Sequence, residues 1–305
     1  MRDINLSIII PHYNSPKTLE VLLDSIFECN PDKVEAIVVD DNSDKYLEEY
    51  RECKKKFLDC NVHFFVNDTG KKSAGASRNV GIENATGKWI LFADADDYFV
   101  NSWFDIVSEY FCENLDVVFF LPTSKNLKTG KQGVREIPYV TRINEYLSKN
   151  QGAEARLRYE FNVPWSKLIR KSLIDQNKIR FDSTRYSNDV MFSAKIGYHL
   201  KSFIVDERTI YCVTEGENTL TKSMSESTYY IRTEVFINKY IYLKDRLSKE
   251  EWESIPTKNE PLKYLYKVIQ RKYGLKTLLK YIKLYHVKNI PIITRYTFLI
   301  PFKGM

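Results

Sequence analysis

Short apolar runs alternate with amphipathic stretches through the first 121 residues. Leu6–Ile10 is β-branched and closed by Pro11, which predicts a buried strand. Within Ser15–Cys29, residues Leu19, Leu22, Leu23 and Ile26 recur at helical spacing. Ala36–Val39 predicts a second strand, ended by Asp40-Asp41-Asn42-Ser43. A polar helix over about Tyr46–Phe57 and a third strand at Val62–Val66 follow. Ser73–Asn84 predicts a helix opened by small residues, Trp89–Ala93 a fourth strand, Ser102–Glu113 a helix and Val117–Leu121 a fifth strand.

This alternation predicts an α/β chain built from βαβ units around a mostly parallel, Rossmann-like sheet flanked by helices. Strands buried on both faces read as continuous apolar runs, as these do. Ligands of such sheets bind beyond the C-terminal strand ends. Those ends carry Pro11-His12-Tyr13-Asn14, Asp40-Asp41-Asn42-Ser43 and Asp94-Ala95-Asp96-Asp97, which converge on one edge.

Beyond about Gly130 the alternation fades. Residues 141–160 read as helical, Val163–Ile169 as strand-like, Ser172–Asn177 as a short helix and Asn188–Leu200 as another. A strand at Phe203–Val213 and a polar loop at Glu215–Ser227 lead into helices that run to about Ile290, interrupted by Pro256 and Pro291. The expected organisation is a domain over 1–225 and a helical extension over 226–305.

A chain of 305 residues with 43% hydrophobic residues supports a sizeable core. The net charge of +6 is unevenly spread: residues 261–305 hold ten Lys and Arg and no Asp or Glu, leaving the first 260 residues net −4. That distribution argues against a whole-molecule nucleic-acid binder. Five widely spaced cysteines lack metal-ligand spacing and read as reduced thiols of a cytosolic protein. The N-terminus has no signal-peptide apolar region, and no run approaches the ~20 apolar residues that span a bilayer.

Asp94, Asp96 and Asp97 carry the most informative chemistry. Ionised carboxylates this close repel unless a cation or proton lies among them. Hard oxygen ligands suit Mg²⁺ or Mn²⁺. A solvated turn after a buried strand is the competing reading of an isolated Asp-x-Asp.

Leu6-Ser7-Ile8-Ile9-Ile10-Pro11-His12-Tyr13-Asn14 and Val38-Val39-Asp40-Asp41-Asn42-Ser43, followed by Gly75-Ala76-Ser77-Arg78-Asn79-Val80-Gly81-Ile82 and Gly87 to Asp97, resemble family 2 glycosyltransferases of the GT-A fold. Order and spacing agree over residues 6–100, with weaker agreement to about 225. The resemblance implies inverting transfer of a sugar from a nucleotide sugar, most often a UDP-sugar. It implies a nucleotide-sugar half over about 1–122 and an acceptor half over about 123–225. Pro11 and Tyr13, with Asn14, would line the nucleobase pocket. Asp41, helped by Asp40, would accept a hydrogen bond from the base. Ser77, Arg78 and Asn79 open a helix whose N-terminus favours anions; Arg78 either binds diphosphate or holds the acidic cluster in place. Asp96 would coordinate the metal, Asp94 the ribose or the metal, beside Ala95, and Asp97 would support them.

Family members carry a Glu-Asp pair at a helix start. Here the Asp is Asp189, and Asn188 replaces the Glu. Asp189 is the candidate base for the acceptor hydroxyl; its alternative role is a first-turn Asp stabilising the helix dipole. Trp165 and Lys167, in Pro164-Trp165-Ser166-Lys167-Leu168, resemble a Trp-x-Lys-Leu segment. Trp165 either stacks on a sugar face or is a core residue. With Asn188 they are the expected acceptor contacts. Gly216–Thr221 resembles a loop that closes over the donor.

In the tail, Lys263, Lys267 and Arg271 recur at i+4, with Leu262, Leu265 and Ile269 as an apolar line continued by Leu279 and Ile282. Residues 261–303 fit either an anionic membrane surface or packing on the domain. The expected setting is the cytoplasmic face of the cell membrane, with a glycan or lipid-linked acceptor; a homo-oligomer is left open. Two other readings compete: an inactive membrane-associated scaffold, and a nucleotidyltransferase, which would need a Gly-rich triphosphate loop that Pro11–Ser15 does not provide.

Overall fold

The computed structural model describes residues 4–216 and 225–290. The chain divides into two compact units, Met1–Lys222 and Ser223–Met305.

In the first unit, β1 (Leu6–His12), β2 (Val34–Asp40), β3 (Val62–Val66) and β4 (Trp89–Phe92) alternate with helices α1 (Pro16–Phe27), α2 (Leu47–Lys56) and α3 (Ala74–Asn84). Then come β5 (Tyr98–Phe99), α4 (Trp103–Ser108), β6 (Val117–Asn126), α5 (Ile137–Leu147), α6 (Ala153–Glu160), β7 (Lys167–Arg170), α7 (Lys171–Gln176), α8 (Val190–His199) and β8 (Phe203–Glu215). One sheet has the order β3-β2-β1-β4-β7-β6-β8-β5. β1 pairs in parallel with β2 and β4, and β2 with β3. β6 and β8 are also parallel. β7 runs antiparallel to both β4 and β6, and the two-residue β5 antiparallel to β8. The sheet is thus mixed: antiparallel β7 separates the parallel run β3-β2-β1-β4 from the parallel pair β6-β8.

The apolar runs face two cores, one per sheet face. Leu6, Ile8 and Ile10 join Leu19, Leu22, Leu23 and Ile26 of α1, with Trp89, Trp103 and Trp165. Ile9 faces the other way, among Val80, Ile82, Phe92, Leu157, Phe192 and Ile196. α3 approaches this face closely: a Cβ on Gly81 would collide with the Ile9 side chain.

Several elements differ from the expected bounds. The helical stretch at 141–160 is two helices, parted where Lys149 and Gly152 take positive φ (54° and 69°). The strand-like 163–169 run shrinks to β7, because Ser166 is left-handed (φ 55°) directly after Pro164-Trp165. α4 ends at Ser108 in successive turns rather than at Glu113.

The second unit holds α9 (Glu226–Lys244), α10 (Lys249–Ser254), a 3-10 turn at Pro256–Asn259, α11 (Glu260–Gln270) and α12 (Leu275–Val287). Its core is aromatic: Tyr229, Tyr240, Tyr281 and Tyr285 with Ile237, Leu265 and Val268. The inward line of α11 is therefore Leu265 and Val268, and Ile269 points outward at 61% exposure. Among the described residues no helix is long and apolar enough to cross a membrane.

Candidate active site

β1 and β2 end side by side, and each turns through a left-handed Asn: Asn14 (φ 52°) and Asn42 (φ 58°). Asn14 ties the turns together. Its Oδ1 accepts from the backbone N–H groups of Asp44 and Lys45, and its Nδ2 donates to Asp44 at 2.7 Å. Asp40 is taken up locally: it accepts from His12 Nδ1 at 2.8 Å and from the Ser43 hydroxyl and N–H. Burial opposes its ionisation, but these hydrogen bonds win and hold the carboxyl below its usual range. Asp40 therefore braces the turn. Asp41 is buried, and its Oδ1 accepts from Asn67 Nδ2 at 2.6 Å and Ser77 Oγ at 3.3 Å. Tyr13 is 44% exposed at the rim, with Lys72 Nζ 4.0 Å from its ring centre. Pro11 lies at the end of β1, paired with Val39.

α3 begins at Ser73, whose hydroxyl accepts from the Ala76 N–H as an N-cap. Two residues along, Gly75 lies against the Asp182 carbonyl and the Asn188 side chain with no room for a Cβ. Arg78 follows, almost wholly buried, and both of its Nη atoms are engaged. Nη2 donates to Asp94 Oδ1 at 2.5 Å and Nη1 to Asn188 Oδ1 at 2.9 Å. Of the two roles expected for Arg78, holding the acidic cluster is the one these bonds describe. Asn79 exchanges two hydrogen bonds with the backbone of Phe181, so it fastens the 179–182 segment to α3.

β4 then delivers the carboxylates. Asp94, Asp96 and Asp97 each place an oxygen within 4.8 Å of the others, with Ala95 buried between them. Asp97 is fully buried and accepts from Tyr211 Oη at 2.8 Å and the Thr214 N–H at 2.7 Å. Burial, and then the charges of Asp96 and Asp94, push it well above the carboxylate range. Asp96 reaches solvent at the mouth of the site, yet desolvation by the surrounding walls, then Asp94, raises it too. Such a set of hard oxygens fits a divalent cation. Asp94 and Asp96 have the open positions, while both Asp97 oxygens are already bonded.

Asp189 is the N-cap residue of α8, but its side chain makes no capping bond. The dipole role expected as its alternative would therefore act through charge alone, without a capping bond. Desolvation raises its carboxyl above the usual range, Arg78 opposing this and Asp94 adding to it. The neighbouring Asn188 Oδ1 accepts from Arg78, so the base candidate and the acidic cluster share one guanidinium.

Two expected acceptor contacts are corrected. Trp165 is 2% exposed and packs edge-on against Tyr139 and flat against Tyr211, so it is core beneath the cluster and offers no face to a sugar. Lys167 is also 2% exposed, its Nζ donating to the Phe161 carbonyl and Ser193 Oγ. Lys167 is buried because β7 lies in mid-sheet, and Trp165, just before β7, is buried among Tyr139, Phe161 and Tyr211. Of the loop expected to close over the donor, residues 217–221 lie outside the described residues.

The sequence model of glycosyl transferase family 2 matches residues 7–177. The chain belongs to this family. It is 28% identical over 231 residues to the uncharacterized glycosyltransferase EpsJ of Bacillus subtilis, covering 71% of this chain and 63% of that one. It is 25% identical over 237 residues to the poly(ribitol-phosphate) beta-N-acetylglucosaminyltransferase TarS of Staphylococcus aureus, covering 74% and 39%. The chain thus spans under two thirds of the length of these relatives. A crystal structure of TarS 1–349 with UDP-GlcNAc superposes with a TM-score of 0.69 at 22% identity, over 93% of this chain and 80% of that one. This likeness establishes the GT-A fold.

For a family 2 member, sequence reasoning passed over several side chains that shape the site. Tyr211 both donates to Asp97 and accepts from the Asp94 N–H, and Thr214 Oγ1 donates to the Asp96 carbonyl. Arg135 donates to the Thr214 carbonyl, on a loop whose Val134 and Arg135 N–H groups are held by Glu215. The one available signal was polar residues in the otherwise apolar end of β8.

Proposed function

We propose that the chain is an inverting glycosyltransferase that moves a sugar from a nucleotide sugar, a UDP-sugar by preference, to a hydroxyl of a glycan or lipid-linked acceptor. The observation that carries this reading is the Arg78 guanidinium, bonded to Asp94 on one side and to the neighbour of Asp189 on the other. That one guanidinium supports reading the acidic cluster as the donor side and Asp189 as the base beside it. TarS, named for N-acetylglucosaminyl transfer to poly(ribitol-phosphate), and a Pyrobaculum calidifontis mannosyltransferase solved with GDP-Man and Mn²⁺ support the reaction class. The likeness to TarS also supports a role in cell-surface polysaccharide synthesis.

In this reading residues 1–122 bind donor and 123–225 acceptor. Tyr13 stacks on the base. Asp41 accepts from an imide N–H through Oδ2, which carries no hydrogen bond among the described residues. Asp94 and Asp96 hold Mn²⁺ or Mg²⁺, which when bound offsets the diphosphate charge. Asp189 takes the proton of the acceptor hydroxyl as its oxygen bonds to the anomeric carbon. The bond from that carbon to the diphosphate breaks, and nucleoside diphosphate leaves. One carboxylate suffices, so configuration inverts. Titration of UDP with and without Mn²⁺, followed by turnover of a UDP-sugar panel, tests this. Absence of binding in both conditions overturns it, and binding without any turnover favours an inactive scaffold.

The second unit supports a peripheral position on an anionic membrane. The exposed positions of α12 are Leu275, Leu279 and Val287 interleaved with Lys276, Lys280, Lys283 and His286, and residues 261–290 contain no carboxylate. A helix of that make-up suits anionic lipid headgroups. Sedimentation with phosphatidylglycerol vesicles, lost on Leu275→Ser/Leu279→Ser and absent with phosphatidylcholine alone, is the expected result. No sedimentation with either vesicle overturns it.

A further inference from the structure

Among the described residues of the first unit, Lys167 is the buried Lys or Arg that this mechanism leaves unused. No carboxylate lies within ion-pair distance of its Nζ among the described residues. Its contacts are the Phe161 carbonyl at 2.9 Å, Ser193 Oγ at 3.1 Å and the Phe161 ring, 5.1 Å from the centre. Ser193 in turn donates its hydroxyl to the Asn162 carbonyl at 2.9 Å and its N–H to the Asp189 carbonyl at 2.9 Å. A continuous chain of bonds thus runs from the ammonium to the first turn of α8, where Asp189 stands.

An ammonium in such a place is costly, since neutral acceptors replace only part of its hydration. Burial pulls its pKa down to about 7, and the charge of Asp189 pulls the other way. The groups facing Asp189 are Arg78 from α3, Asp94 at the end of β4, Tyr139 from α5 and Lys167 from β7. Arg78 already pairs with Asp94, so Lys167 is the cation not committed to another acid.

We infer that Lys167 is a positioning residue for Asp189: it fixes the first turn of α8 through Ser193 and supplies the positive charge that keeps the base ionised. This rests on Asp189 being the base. Protonated Lys167 supports Asp189 at neutral pH, and the support fades as pH rises and the ammonium loses its proton.

The test uses the full chain with Lys167→Met and Lys167→Gln, the latter keeping a hydrogen-bond donor without the charge. Turnover is measured from pH 5 to 9, with UDP affinity and thermal unfolding alongside. Expected is a tenfold or greater loss of kcat at pH 7 that shrinks toward pH 9, with the acid limb moved upward and UDP affinity within twofold. A loss uniform across pH overturns the inference. So does failure of both neutral variants to fold while Lys167→Arg folds, which would assign Lys167 to stability. Asp189→Asn is run in parallel. If it retains wild-type transfer, the base assignment itself fails, whatever the Lys167 variants do.

Discussion

Nη2 of Arg78 lies 2.5 Å from Oδ1 of Asp94, although the two residues come from different elements, the first turns of α3 and the end of β4. The pair is largely buried on the Arg side and partly open on the Asp side, which leaves Asp94 accessible to a ligand while its position is fixed.

Breaking that pair therefore affects both stability and function. Arg78→Ala leaves Asp94 without its partner and removes a favourable charge from Asp96 and Asp189. It is expected to cost about 3 kcal/mol in urea unfolding, in the range for removing one partner of a largely buried pair, and to lower kcat by about two orders of magnitude. Arg78→Lys reaches one partner at a time and is expected to recover stability better than turnover. Equal recovery of both would argue that Arg78 is purely structural.

The acidic cluster makes a signed prediction about pH. Asp96 and Asp97 are raised above ordinary carboxylates, by burial first and mutual charge second. A group raised on folding contributes stability that is present below its unfolded pKa and is lost as pH rises through its folded value. Asp40 is lowered, and its contribution runs the other way, lost only as pH falls through its folded value. Metal-free protein should therefore lose Tm as pH rises from about 4 into the neutral range. Mn²⁺ should restore Tm strongly at pH 8 and weakly at pH 5. A Tm that rises with pH in the absence of metal would contradict the assigned directions.

Trp165 separates packing from sugar contact. Buried among Tyr139, Phe161 and Tyr211, it should cost about 3–5 kcal/mol on truncation to Ala. Trp165→Phe keeps most of the apolar volume, and acceptor KM should stay within a few fold, measured by transfer kinetics. A large rise in acceptor KM with unchanged Tm would return Trp165 to the acceptor face.

Local pattern accounts for what could be read ahead of the structure. Leu6, Ile8 and Ile10 are apolar because β1 is buried on both faces, and the run from Trp89 to Asp97 carries a strand and its acidic turn on adjacent residues. What escaped is long-range. Tyr211 and Thr214 meet Asp97 from 114 and 117 residues away. Lys167 reads as an acceptor contact, and Trp165 stays open between sugar face and core, because nothing nearby announces that β7 inserts between β4 and β6. In the tail, the line of Leu262, Leu265 and Ile269 has the helical period, but one period fits more than one face, and tertiary packing chose Leu265 and Val268.

Gly75 gives the sharpest test of how the base is carried. A Cβ there would strike the Asp182 carbonyl, which is backbone and cannot rotate away, and would crowd the Asn188 Cβ at 2.9 Å. The Asp182 N–H is itself bonded to the Asn188 carbonyl, so a push on this segment moves the residue beside Asp189. Gly75→Ala should accordingly displace the base while leaving Tyr13, Asp41 and the β1 and β2 turns in place. Misplacing a reacting group by about 1 Å can cost about 100-fold in rate. The expected result is a kcat reduced by one to two orders of magnitude with UDP affinity within threefold, measured by turnover and calorimetry on the same preparation. A parallel loss of UDP affinity would mean that the 182–189 segment also supports the donor pocket.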